Sequence, residues 1–181
     1  MTLGRALRRV ALPFLALLLL ASAWAERRRD PLTQLEIDQL RDTAQEPDER
    51  LKLFVKFARA RLDSLQKART DPEVKDRTQA TRDRLQDFLD VYDELDENVD
   101  TFADRKDDIR KSLKLIIEAD TEFQAKLRAL KDSADTQKDI KEYDLLLADV
   151  LEAVDTAAHD HRELVAEQEE AAKHKKLVKP D

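Results

Sequence analysis

The sequence predicts an all-α protein, an elongated antiparallel helical bundle or coiled coil of three to four long helices with a short N-terminal helix ahead of them. Three observations carry that expectation. Apolar residues recur at helical spacing along most of the 181 residues, and 40% of the chain is charged. Helix breakers are scarce, with five prolines and a single glycine, Gly4. Tight hairpins and left-handed turns usually need a residue without a Cβ, so a β-rich chain would have left more glycine behind.

The first 25 residues read as an export leader. Arg5, Arg8 and Arg9 form a positive n-region, residues 10–23 are apolar apart from Ser22, and Ala23-Trp24-Ala25 has the small-x-small form of a signal-peptidase site. The apolar run of 14 residues is shorter than the ~20 a membrane span needs. Arg27, Arg28 and Arg29 just beyond the site favour the competing reading, an uncleaved anchor. The Arg8-Arg9 pair also fits a twin-arginine signal. Cleavage after Ala25 leaves a chain without Gly, Cys, Trp or Met, with 30 Lys+Arg against 40 Asp+Glu and a net charge of −10. This balance argues against a nucleic-acid binder. The missing cysteine excludes disulfides and thiolate chemistry. With no glycosylation sequon either, the expected home is bacterial, periplasmic or secreted, with no stable membrane insertion after cleavage.

Residues 26–46 form the expected N-terminal segment, 47–172 the bundle domain and 173–181 a basic tail. Thr33 and Glu36 make a capping box ahead of Leu35, Ile37, Leu40 and Ala44, which sets the short first helix. Pro47 suits the first turn of a second helix, 47–69, which carries Leu51, Phe54, Val55, Ala58, Leu62 and Leu65. Asp71-Pro72 repeats the start signal, as N-cap and first helical residue.

From Val74 to Leu130, alternate steps of four and three residues meet 13 apolar residues in 17 positions. The exceptions are Thr78, Thr81, Lys106 and Asp120. So sustained a 3.5-residue repeat reads as a coiled-coil seam, and the favoured reading is one helix over 72–131, about 90 Å long. A break near residues 103–108, giving a shorter four-helix bundle, is the rival. Residues 131–135 form the next turn, with Asp135 as cap. A last helix from 136 carries Ile140, Tyr143, Leu147, Val150, Val154, Ala157, His161 and Leu164, and frays near Lys173.

Candidate ligands cluster in the acid-rich stretch 87–108, where ten acids face only Arg105 and Lys106. Within it, residues 96–107 resemble an EF-hand calcium loop, with Asp96, Asn98, Asp100, Asp104 and Asp107 as the oxygen ligands. Thr101 stands where that loop needs glycine, and Asp107 stands for the bidentate glutamate. His159, with Asp155 and Glu163 four residues to either side, is a second cation candidate; His161 lies on the apolar seam and reads as a core residue. Ser64, Ser112 and Ser133 lie among charged residues on helices or a turn, and no serine–histidine–acid arrangement stands out.

Leu32-Thr33-Gln34 resembles the Leu-Thr-x-x-Gln motif of the Spy/CpxP-type periplasmic chaperones, with Glu36 at the glutamine position. That family presents a cationic cradle, opposite in sign to this chain. The expected function is therefore a non-enzymatic interaction or scaffold module of the bacterial envelope, without a cofactor and with a protein partner. Calcium binding through 96–107 and a chaperone-like holdase are the alternatives. A homodimer through the seam is also compatible, because the repeat does not distinguish a second copy from an intrachain partner.

Overall fold

The computed structural model describes residues 30–133 and 140–178. The segment expected to be a leader, the expected cap at Asp135, the expected start of the last helix at 136 and the final residues 179–181 lie outside them. The described elements are α1 (Gln34–Asp42), α2 (Pro47–Thr70), α3 (Arg77–Asp104), α4 (Arg110–Asp132), a 3-10 turn (Ile140–Glu142) and α5 (Asp144–Val178). They make an all-α helical bundle, with no strand among the described residues.

The capping box opens α1 as the sequence indicates. The Glu36 carboxylate accepts from the Thr33 N–H at 2.8 Å, and the Thr33 hydroxyl accepts from the Glu36 N–H at 3.3 Å. Arg61 of α2 then donates to both Glu36 oxygens, at 3.0 and 2.6 Å, and to the Pro31 carbonyl at 2.6 Å. Burial alone would raise the Glu36 pKa, but the hydrogen bonds from Arg61 and Thr33 outweigh it and hold the carboxyl below its ordinary range. Arg50 does similar work at the other end of α1, donating to the Leu40 carbonyl and to Asn98 Oδ1, both at 2.6 Å.

Two boundary expectations need correction. Asp71 ends α2 instead of starting the next helix, since its carboxylate accepts from the Glu73 N–H at 2.8 Å and shapes a turn. The start of α3 falls to Asp76, whose side chain accepts from the Gln79 N–H at 2.9 Å. The second correction is larger. The helix expected over 72–131 reverses between α3 and α4, so the four-helix arrangement is the one observed.

The reversal is a Schellman motif built without glycine. Lys106 takes φ 63°, the left-handed conformation. The Lys106 N–H donates to the Ala103 carbonyl at 2.9 Å and the Asp107 N–H to the Phe102 carbonyl at 3.0 Å. A lysine there costs about 1–2 kcal/mol. Folding back buries large side chains worth about 1.5–3 kcal/mol each, so the cost is outweighed several-fold. Gln168 of α5 closes the corner: its Oε1 accepts from the Ile109 N–H and its Nε2 donates to the Asp107 carbonyl, both at 3.1 Å. The apolar repeat keeps phase because Phe102 and Ile109, on either side of the turn, are both buried.

Helix directions follow from the pairs that join them. Arg50–Asn98 and the short link between α2 and α3 make those two antiparallel. Arg128–Asp155 and Lys114–Glu169, both 2.8 Å, do the same for α4 and α5. Ser112–Asp48, Arg59–Glu122 at 2.9 Å and Lys126–Asp63 at 3.0 Å instead set α2 parallel to α4. The contacts of α5 with Asp96 and with Asp107 show α3 and α5 also running in parallel. The bundle thus cycles α2–α3–α5–α4, with α3 and α4 on a diagonal. Across that diagonal Phe88, Tyr92 and Phe123 pack ring to ring, with Phe88 and Phe123 edge-on at 5.4 Å. Among the described residues the last helix runs from Asp144 past Lys173 to Val178, after the 3-10 turn at Ile140–Glu142.

Lys106→Gly removes the left-handed penalty and is expected to stabilise the fold by about 1 kcal/mol. Lys106→Val should destabilise it, and Gln168→Ala should cost about 1–3 kcal/mol by stripping two part-buried backbone groups of their partner. Urea denaturation of the three variants measures all of these.

Candidate functional site

The five residues expected to ring a cation are not arranged as a loop. Residues 96–104 continue α3, whose buried face is set by Leu95, Val99 and Phe102 at spacings of four and three. Thr101, in the glycine position, instead donates its hydroxyl to the Glu97 carbonyl at 2.8 Å, a contact native to a helix. Asp96, Asp100 and Asp104, four residues apart, therefore line one helical face. Asn98 is drawn away to Arg50, while its amide donates to the Glu94 carbonyl at 2.7 Å. Asp107 lies beyond the reversal, where its Oδ2 is 3.3 Å from Arg105 Nε, an ion pair without hydrogen-bond alignment.

What α3 presents is an acidic face. Partial burial raises the Asp93 pKa, and the charges of Asp90, Asp96, Glu97 and Glu94 push it the same way. The Asp100 carboxyl is raised by burial and then by Asp96, Asp104 and Asp160, the last contributed by α5. On α5, His159 Nε2 lies 3.3 Å from Glu163 Oε1, and the exposed trio His159, Asp160 and Glu163 places its ligand atoms within 4.8 Å of one another. Asp155 takes no part, because Arg128 and Gln124 hold it at 2.8 and 2.7 Å.

Beneath this face lies a polar cluster whose members are far apart in sequence. Asp120, an exception in the apolar repeat, is fully buried, and His161 is 1% exposed. Asp120 Oδ1 accepts from the Tyr92 hydroxyl at 2.7 Å, and Oδ2 is 2.9 Å from His161 Nδ1. The other ring nitrogen, Nε2, lies 3.3 Å from Asp96 Oδ1, at ion-pair distance but out of line for a hydrogen bond. Burial lowers the imidazole pKa, yet the Asp120 hydrogen bond and the nearby carboxylates of Asp120 and Asp96 overcome it and push the group up to about 9. Burial, then the Asp120 charge and hydrogen bond, push the Tyr92 hydroxyl up as well. The one sequence signal for this cluster was a carboxylate and an imidazole both falling on seam positions, where each needs the other.

Chemically the cluster holds a proton between three helices. The candidate serines are engaged elsewhere: the Ser112 hydroxyl donates to Asp48 and that of Ser133 to the Leu130 carbonyl at 2.9 Å. No helix among the described residues is long and apolar enough to cross a membrane. No family model, curated protein or solved structure matches the chain.

Removing one partner of the buried pair leaves the other uncompensated, so Asp120→Ala is expected to cost about 3–5 kcal/mol. Asp96→Ala, at the half-exposed rim, should cost about 1 kcal/mol or less. Equilibrium denaturation at pH 7 separates the two, and equal losses would contradict the burial-based ranking.

Proposed function

We propose that the chain is an exported, non-enzymatic helical-bundle protein that serves as an interaction or scaffold module in the bacterial envelope, with its acidic face turned toward a basic protein partner. The observation that carries this reading is the α3 face, where Asp96, Asp100 and Asp104 stand one turn apart and the carboxyls of Asp93 and Asp100 are raised first by partial burial and then by neighbours of their own sign. A surface that keeps like charges together gives up stability and gains electrostatic steering of a cationic partner. Two further features support it: the leader-like first 25 residues, and a sequence that lacks the glycine loops and thiols on which much site chemistry is built.

The test is capture from an envelope fraction by the purified protein, compared with the triple variant Asp93→Asn, Asp100→Asn and Asp104→Asn. The variant is expected to fold at least as stably, because the raised carboxyls of Asp93 and Asp100 lose stability when ionised, through partial burial and then like charge, and their amides avoid that loss. It should lose the specific partner by about tenfold or more at low salt, and 0.5 M salt should do the same to the unmodified protein. Undiminished capture by the triple variant would refute a role for this face.

A further inference from the structure

Helix α5 is held to the bundle by an apolar stripe of Leu147, Val150, Val154, Ala157 and Ala158, all buried. His161 extends this stripe and is the one charged-capable residue on it at full depth. A hydrocarbon side chain would fill the position without the desolvation that an ion pair suffers. The pair instead makes the seating of α5 depend on a proton.

We propose that the Asp120–His161 pair is a protonation-controlled latch that fastens α5 to α3 and α4. Those are the two helices packed against α5, and the groups they turn toward the imidazole are Tyr92, Asp96 and Asp100 from α3 and Asp120 from α4. On α5 itself, Arg162 is the neighbouring cation, its guanidinium donating to the Ala158 carbonyl at 2.6 Å, and Asp160 faces Asp100. Asp120 and Asp96 stabilise the protonated ring most directly, and Asp100 is coupled to it in the same sense. When the ring loses its proton, one N–H can still bond Asp120, but the buried carboxylate has no counter-charge and α5 is seated over an uncompensated anion.

The direction of the effect follows from the shift. The imidazole is raised from 6.5 to about 9, so the latch is fully engaged below about pH 6.5 and is lost as pH rises through about 9. Between pH 6 and pH 9.5 the opening equilibrium of α5 should increase on the order of 100-fold. Tyr92 does not relieve the strain in this window, because its hydroxyl is itself pushed upward and keeps its proton.

Amide hydrogen exchange at a series of pH values, corrected for intrinsic rates, tests the latch on the intact protein. The expected result is a loss of protection concentrated in residues 150–161, with the α2–α3 hairpin changing much less. The double variant Asp120→Leu with His161→Leu should lose this pH dependence, whereas His159→Gln should keep it. Unchanged α5 protection from pH 6 to 9.5, or an equal loss across every helix, overturns the latch. Should the double variant fail to fold, NMR titration of the His161 ring decides the question in the unmodified protein: a midpoint near 9 upholds the latch and one below 7.5 overturns it.

Discussion

The bundle depends on one backbone reversal, the corner at Lys106 between α3 and α4. Everything that packs across the core, including the ring cluster of Phe88, Tyr92 and Phe123, requires α4 to come back alongside α3's neighbours. Glycine would be the usual residue for that corner, and the chain offers none beyond Gly4. A lysine takes the left-handed conformation instead, and the strain persists because the surrounding structure determines it from several sides. Gln168 contributes most directly, since it bonds backbone groups on both sides of Asp108 from a helix that is remote in sequence.

That corner also explains where sequence reading reaches and where it stops. The core was legible almost residue by residue: Leu85, Phe88, Tyr92, Leu95, Val99, Phe102, Ile109, Leu113, Ile116, Phe123, Leu127 and Leu130 are all buried. The capping box at Thr33 and the proline start of α2 were legible too, because both depend on local chemistry. The reversal was not. An apolar repeat reports which face is buried, and Phe102 and Ile109 are buried whether the chain continues or turns. Asp71 misled for a related reason: an aspartate before proline serves a helix start and a turn equally well, and only the preceding helix decides.

The candidate site divides along the same line. Three of the expected ligands, Asp96, Asp100 and Asp104, share a face because helical spacing alone puts them there. Asn98 and Asp107 leave it through contacts made with Arg50 and Arg105. The buried pair was the least legible feature. Each member was visible on the seam, but their meeting at 2.9 Å depends on how α4 and α5 pack, across 41 residues of sequence. Such a pair is weak evidence for stability, because apolar residues could fill its place at least as well. It does restrict the register of α5, since a shift by one turn would leave Asp120 and His161 buried and unpaired.

The cyclic order of the helices carries a consequence for how the chain reaches this state. Each of the two helical hairpins, α2 with α3 and α4 with α5, joins helices that are neighbours in sequence, so its closure entropy is modest. Joining the hairpins is different, because the Asp48–Ser112, Arg59–Glu122 and Asp63–Lys126 contacts each span 63 or 64 residues. Contacts of that separation dominate the entropic barrier in small domains. They are also polar and, at Arg59, Glu122 and Lys126, partly solvent-exposed, so they return little energy until the apolar faces beneath them have met. The folding of this chain is thereby weighted toward the docking of two preformed hairpins, with the glycine-free corner and its glutamine completed only once both are in place.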